Sequence, residues 1–517
     1  MKKNTFVFAL PGLVVLAALL GACAKKDAAV SSDVSAREPI TVTWWQAMHV
    51  ADRPDMYADD APGWKALREA TGVTIKWELI PNVNVTTAYN LLIASGDIPD
   101  IVTGDPNALL RRFIQAWLPL DTRIKGNPRY ANLDNIIFHD DYLDNYLTDS
   151  DGHIRVIPML TKRRVGDILI ARQDLLEKYN IEPPVTLEDW HNALVLAKQD
   201  GKIPYMSRFQ RRGLLARFFT GYMDCVQEDY FVEDGVVKYG ALDPRLKATV
   251  EVARQWYAEG LIDQEYLSTD TSRWWENVLR GNVFAFHDNI ARIQSADNDF
   301  ITNQNVPYRV MGVGPMQSPY TGKRNTIIHY PHVLGLSASI SVNTENPERV
   351  LDMFDYIFSE EGFILMNFGI EGLSFNYIDG NPVNDPEYNN RYDRGEVPHV
   401  GTTRNLAKNL RNELDYDYIF DREDHQALRE ARDLYRNNDF IRENWIASLN
   451  FTDDERSALS PINAELDTYR GEMLDKFIMG IEPMSRWDVF TNQIQGMNVD
   501  TALAIYQAAL DRLLSGS

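Results

Sequence analysis

Cysteine is nearly missing from this chain. Its 517 residues include two, Cys23 and Cys225, too few for a disulfide framework. Positive charge is in deficit: 52 Lys and Arg stand against 74 Asp and Glu, a formal charge of −22. So acidic a chain argues against nucleic acid or an anionic membrane surface as its main partner. Beyond residue 20 no apolar run is long enough to span a bilayer. No G-x-S-x-G, H-E-x-x-H or phosphate-loop pattern occurs, so the common signatures of hydrolases, zinc peptidases and nucleotide enzymes are missing. Gly312-Val313-Gly314 lacks the third glycine of a dinucleotide loop and runs into Pro315. His329 and His332 flank Tyr330-Pro331, and the proline breaks the regular spacing a metal pair would use. Asp149-Ser150-Asp151-Gly152 starts like a calcium loop but lacks the later ligands, so it reads as a turn. Acidic side chains abound, yet nothing singles out a pair for glycosidase chemistry. The expectation is no enzyme, no cofactor and no metal. Internal repeats and low-complexity stretches are also absent.

What is present begins at the amino terminus. Lys2 and Lys3 precede an apolar, uncharged run from Phe6 to Leu20, followed by Leu20-Gly21-Ala22-Cys23. The run has signal-peptide length and is shorter than a spanning helix of about 20 residues. The four residues that follow match a lipobox. Residues 1–22 are therefore expected to be a lipoprotein signal peptide, with Cys23 lipidated by a diacylglycerol (palmitate among its chains) and anchored in the membrane. Removing the two lysines would take the formal charge from −22 to −24. Residues 23–38 are small, polar and charged, a flexible tether. With Cys23 lipidated, Cys225 has no partner and reads as a buried small residue rather than a nucleophile.

Apolar content is 44%, enough for large cores, and the length suits two or three domains. Ile40 to Trp45 reads as a strand, Trp64 to Ala70 as a helix closed by Thr71-Gly72, and Val73 to Ile80 as an alternating second strand. Ala88 to Ala94 is a helix ended by Ser95-Gly96-Asp97, and Pro99 to Thr103 a third strand. That β-α-β-α-β order predicts a parallel sheet with helices on both faces. Asn346-Pro347-Glu348 starts a helix with Pro at its first position, and Val350, Leu351, Phe354, Ile357 and Phe358 form its apolar stripe. Tyr506, Leu510 and Leu513 mark a terminal helix with one buried face.

The stretch Gly152 to Trp190 organises the rest. It reads GHIRVIPML, then Thr161-Lys162-Arg163-Arg164, then VGDILIARQDLLEKYNIEPPVTLEDW. His153 to Pro158 and Val165 to Ala171 have strand character, Asp174 to Tyr179 begins a helix, and Thr186 with Asp189 resembles a capping box. This order resembles the first domain crossing of bacterial extracellular solute-binding proteins of the maltose-binding type, where "IP", "R-x-D-L" and "P-x-T-x-E/D-W" occur in turn. Here they are Ile157-Pro158, Arg172-Gln173-Asp174-Leu175 and Pro184 to Trp190. ASGDIPDIV, Pro119-Leu120-Asp121, WYAEGLID, Gly281 to Phe286 and VMGVGP fit the same pattern, and Val333 to Ser337 fits its return strand. The resemblance covers nearly all of residues 38–513 and is strongest to the large lipoprotein subunits of carbohydrate ABC importers.

The resemblance implies an α/β, periplasmic-binding-protein-like fold: two α/β domains joined by a hinge, with a helical C-terminal extension. It implies an N-terminal lobe of residues 39–162 and 327–375, a C-terminal lobe of 163–312 and 376–517, and a return crossing at 313–326. Some relatives carry a calcium loop where this chain reads Ala197 to Pro204. Here the loop is short and lacks the acidic ligands, so no calcium is expected. The implied function is a lipid-anchored monomeric receptor on the outer face of the cytoplasmic membrane. It would bind a carbohydrate in an interdomain cleft and deliver it, by hinge closure, to ABC permease subunits. The alternatives are the same fold binding a peptide or another solute, a secreted polysaccharide-degrading enzyme, and a sensor for a membrane receptor.

Sugar rings present apolar faces and a rim of hydroxyls, so their sites want aromatic platforms beside planar or charged hydrogen-bonding groups. Ligands of open α/β sheets sit beyond the carboxyl ends of strands. That rule selects Trp44, Trp45 and Gln46 after the first strand, Asp105 after the third, Arg163 and Arg164 at the crossing, and Tyr205 and Arg208 after Ile203-Pro204. It also selects His287 and Asp288 after Gly281–Phe286, Tyr330 and His332 at the return crossing, Glu371, and Trp275. One of Trp44 and Trp45 must face the core, because adjacent strand residues point opposite ways. At least one of Trp274 and Trp275 is expected in the core. Arg163 and Arg164 could equally pair with surface acids, and Arg172 and Asp174 are expected to fix a strand–helix junction. Trp117, Trp190, Trp256 and Trp445 read as core.

Overall fold

The structure is a computed structural model. It describes residues 38–515 apart from 49–53, 82–84, 105–109, 139–146, 150, 159–165, 294, 297–307, 329–336, 379, 386, 402–425 and 444. The chain divides into two compact units, Met1–Thr103 with Ile340–Ala407 and Gly104–Ser339 with Lys408–Ser517.

The first unit opens with β1 (Ile40–Met48), α1 (Pro62–Thr71), β2 (Val73–Pro81), α2 (Val85–Ser95) and β3 (Ile101–Gly104). Pro62 sits in the first turn of α1, where its missing N–H costs nothing. Gly72 ends that helix at φ 69°, a left-handed cap that only glycine adopts without strain. β1 pairs in parallel with both β2 and β3, as the β-α-β-α-β pattern predicts.

The second unit's sheet and its neighbours follow in chain order: β4 (Asp167–Arg172), α3 (Gln173–Tyr179), α4 (Leu187–Gln199), β5 (Ile203–Tyr205), β6 (Tyr230–Glu233), β7 (Val236–Tyr239), α5 (Pro244–Ala258), α6 (Thr271–Leu279), β8 (Val283–Asn289), β9 (Val310–Val313) and β10 (Thr326–Ile328). Thr186 and Asp189 do form a capping box on α4. Arg172 holds Asp174 through Nε at 2.7 Å and Nη2 at 2.5 Å, and Nη1 donates to the Gly281 carbonyl, so this pair fixes the β4–α3 junction as expected. The sheet order is β5-β8-β4-β9. Ile168 and Ile170 of β4 enter one apolar cluster with Trp274, while Leu169 and Ala171 enter the other with Trp190. A two-residue period that buries both faces explains why Ile168 to Ala171 is an unbroken apolar run.

The chain re-enters the first unit along β11 (Ser337–Ile340), which joins that unit's sheet in the order β11-β3-β1-β2. Next come α7 (Pro347–Ile357), α8 (Glu360–Phe368) and a hairpin of β12 (Phe375–Ile378) and β13 (Asn381–Asn384). The α7 stripe Val350, Leu351, Phe354 and Ile357 is buried. The last part of the second unit is α9 (Gln426–Asn437), β14 (Ile441–Glu443), α10 (Asp453–Ile478), α11 (Trp487–Gly496) and α12 (Val499–Ser515). Tyr506 of α12 stacks on Tyr230 at 3.8 Å, and α10 packs on α5.

The division differs from the expected boundaries in three places, the first being that the end of β10 at residues 327–328, expected in the N-terminal lobe, lies with the second unit. Residues 376–401 lie with the first unit, where the Val400 carbonyl accepts from Gly63 N and Tyr392 donates to Asp55. Residues 110–158 lie with the second, where Asn450 donates to the Thr148 carbonyl.

Candidate functional site

Strand direction gathers the chemistry of the second unit at one sheet edge. β8 runs parallel to β5, and β4 runs antiparallel to both β8 and β9. The carboxyl ends of β5, β8 and β9 therefore share an edge with Asp167 at the start of β4. Beyond such ends lies the usual ligand position of an open sheet.

After β5 the chain turns tightly through Ser207, Arg208 and Phe209. Phe209 N donates to Ser207 Oγ at 3.1 Å, and Tyr205 donates its hydroxyl to the Gly213 carbonyl at 2.9 Å. Gly213 has no room for a side chain: a Cβ there would lie 1.7 Å from Ser207 Oγ. Arg211 bolts this turn to α10. It reaches Glu228 at 2.9 Å, and its Nη1 donates to the Gly471 carbonyl at 3.0 Å and to Asp475 at 2.7 Å.

Arg208 grips Asp288 with two nitrogens, Nε to Oδ2 at 2.9 Å and Nη2 to Oδ1 at 3.1 Å. Burial raises the Asp288 carboxyl pKa, and Arg208 pulls it back only in part. Arg217 pairs with Asp167. Both Arg208 and Arg217 lie 4.4 Å from the Phe209 ring centroid. Arg292, just past the end of β8, lies 4.5 Å from the ring of Trp275 and 3.9 Å from Asp288. On the β9 side, Arg324 donates from Nε to the Pro315 carbonyl at 2.7 Å and lies 5.1 Å from the Phe440 ring. Behind it the buried Tyr435 hydroxyl clasps two strands, accepting from Leu169 N and donating to the Val313 carbonyl. Guanidiniums stay charged at any working pH, so the edge offers stacking surfaces and charged hydrogen-bond donors rather than an acid–base pair.

The sequence profile described as bacterial extracellular solute-binding protein matches residues 51–362. The chain belongs to that family. Curated relatives of this solute-binding protein include lipoprotein LipO of Bacillus subtilis (strain 168), 25% identical over 63% of this chain. That match spans 66% of LipO, just under two thirds. The polygalacturonan/rhamnogalacturonan-binding protein YtcQ of the same organism is 20% identical over 70% of this chain and 72% of its own length. Among solved structures, alginate-binding protein AlgQ2 without calcium ion superposes with a TM-score of 0.70 at 23% identity, covering 94% of this chain and 100% of that one. FusA of S. pneumoniae in complex with kestose gives 0.69 at 17% identity, covering 92% and 100%. The fold is thus periplasmic-binding-protein-like, with a helical C-terminal region.

Of the residues expected to bind ligand in this solute-binding protein, Arg208, Asp288 and Trp275 come together at the second unit's edge through Arg292 and Trp274, while Tyr205 belongs to the apolar cluster of the other sheet face and His287 is paired opposite Leu169. Tyr205, His287 and Asp288 are buried, Tyr205 stacked on Phe218 at 4.0 Å. Trp274 is core and Trp275 partly buried beside it. In the first unit Trp44 and Trp45 are both buried, because both sheet faces are covered. Trp44 donates to Thr103 and stacks on Trp77, and Trp45 meets Tyr89 edge-on. Gln46 is buried and donates to Tyr57. Glu371 is exposed, its backbone bridged to Phe375. Asp105, Arg163, Arg164, Tyr330, His332 and Cys23 lie outside the described residues.

Where calcium was not expected, Lys178 and Tyr179 hold the two oxygens of Asp200 at 2.5 and 3.1 Å. Sequence reasoning missed Arg217, Arg292, Arg324 and Phe440. Arg292 meets Asp288 only across the turn after β8, and Arg324 and Phe440 only through the β10–β14 pairing.

Proposed function

We propose that this protein is a lipid-anchored extracytoplasmic receptor that binds an oligosaccharide and hands it to an ABC importer through ligand-driven closure. The observation that carries the reading is the second unit's sheet edge, where Trp275 offers a partly buried ring beside Arg292, and Arg208 and Asp288 form a locked polar pair. Aromatic surface plus fixed planar donors is what a sugar's apolar faces and hydroxyl rim require. Family membership supports a binding rather than an enzymatic role, and YtcQ, AlgQ2 and FusA are each named for, or solved with, a carbohydrate. The lipobox ending in Cys23 supports the anchor, as does the lipoprotein relative LipO.

The test is thermal unfolding of the mature chain from Ala24 onward against neutral and acidic oligosaccharides, amino acids and peptides. A ligand present at a thousand times its Kd stabilises the folded form by about 4 kcal/mol. A selective rise in midpoint with one glycan class, the sugar being recovered unchanged, is expected. A panel in which peptides shift the midpoint and glycans do not would overturn the reading. Loss of membrane association in Cys23→Ser checks the anchor separately.

A further inference from the structure

The second unit's sheet edge carries more positive charge than its own carboxylates cancel. Arg208 is held by Asp288 and Arg217 by Asp167. Arg292 approaches the same Asp288 only to 3.9 Å. Arg324, on the β9 side, has no carboxylate partner among the described residues. Among the described residues, two carboxylates, Asp288 and Asp167, thus pair with these four guanidiniums, while Asp224 nearby is taken by Thr321 and Asn325. Holding unpaired charge in partly buried positions is costly unless an anion arrives to complete it.

Arg324 is built into place. Its Nε donates to the Pro315 carbonyl and its guanidinium lies over Phe440. Gly314 leaves the space it fills, since a Cβ there would come within 2.5 Å of Nη2. Burial pulls the Arg324 pKa below its ordinary value, with only Tyr435 opposing. The Pro315 carbonyl engages one of five N–H donors, and no other acceptor reaches the guanidinium among the described residues. That planar fork matches a carboxylate. Arg208 follows β5 while Arg324 flanks β9, the two outer strands of the sheet. Arg208 meets Asp288 on β8, so two strand spacings, roughly 10 Å, lie between that pair and β9, more than one sugar ring spans.

We propose that Arg324, stacked on Phe440, is a carboxylate-binding subsite, and that the ligand of this edge is an oligosaccharide bearing uronate groups. The proposal rests on the receptor reading above and narrows it to one class of substrate. Arg292 over Trp275 reads the chain on the other side of the sheet, and the cancelled pairs Arg208–Asp288 and Arg217–Asp167 hold the frame between them.

Calorimetric titration of the mature chain tests this with oligomers of galacturonate, mannuronate and glucuronate, each beside its carboxyl-reduced neutral counterpart of equal length. At least one uronate oligomer should bind tenfold or more tightly than its neutral partner, a comparison that needs no variant. Arg324→Gln should cost about tenfold to a hundredfold in affinity for that oligomer and leave neutral oligomers unchanged, with its ligand-free thermal midpoint reporting that it is folded. Equal or tighter binding of the neutral partners overturns the charge proposal and leaves the receptor reading standing. Preference for sulfated over uronate oligomers overturns the carboxylate assignment. An equal loss for acid and neutral sugars in Arg324→Gln overturns the subsite. No binding of any glycan overturns the receptor reading and this proposal together.

Discussion

Replacing Arg211 with methionine should destabilise the second unit by about 3–5 kcal/mol at neutral pH. The side chain is 17% exposed, and its partners Glu228 and Asp475 are 5% and 18% exposed. Methionine keeps much of the volume but leaves two largely buried carboxylates without their cation, and breaking a buried pair from one side costs about that much. Asp475 already has a raised carboxyl pKa because burial outweighs Arg211, so removing the arginine raises it further. An acid whose folded pKa lies above its unfolded value destabilises the fold at high pH, and that penalty fades as pH falls and the group takes up a proton. The deficit of Arg211→Met should therefore be largest near pH 7.5 and shrink towards pH 4.5. Denaturant titrations of both proteins across that range measure it, reading the midpoint at constant slope. A deficit below 1 kcal/mol at pH 7.5, or one that does not change with pH, would refute the reasoning that Arg211 neutralises these two acids.

Two further outcomes follow from the same region and its surroundings. Gly213→Ala should cost about 1–3 kcal/mol through overpacking against Ser207, and Ser207→Gly in the same chain should recover part of it, as a double-mutant cycle in denaturant will show. The Cys225 thiol, pushed up to about 12 chiefly by burial, should resist a thiol reagent at pH 8 in the folded protein and react at once in denaturant; rapid labelling of the folded chain would contradict this.

The fold was legible where pattern and period coincide. β1, α1, β2 and the Thr186 capping box form where alternation, helical spacing and turn chemistry place them, because these features depend on neighbours in sequence. The site was legible only in part. Asp288 and Arg208 follow strands and were selected by that rule, and Trp275 by its aromatic type. At Trp44 and Trp45 the rule could not foresee that both rings would be buried, because it cannot tell a strand covered on both faces from one covered on a single face. Arg217 and Arg324 were invisible for a different reason: their partners Asp167 and Phe440 are 50 and 116 positions away, and nothing local marks an arginine as shared between elements.

The interleaving of the two units constrains how the chain can fold. The first needs α7, α8 and the segment at Val400 to complete the surface begun by residues 38–103, and the second needs α10 to α12 to receive Tyr230 and Arg211. Neither can close on its own contiguous stretch. Both must wait for contacts hundreds of residues away, so loop-closure entropy delays the decisive steps. The chain should stay uncommitted until almost its last helix has been made, and cutting it before α10 should leave the β4 sheet without a finished core.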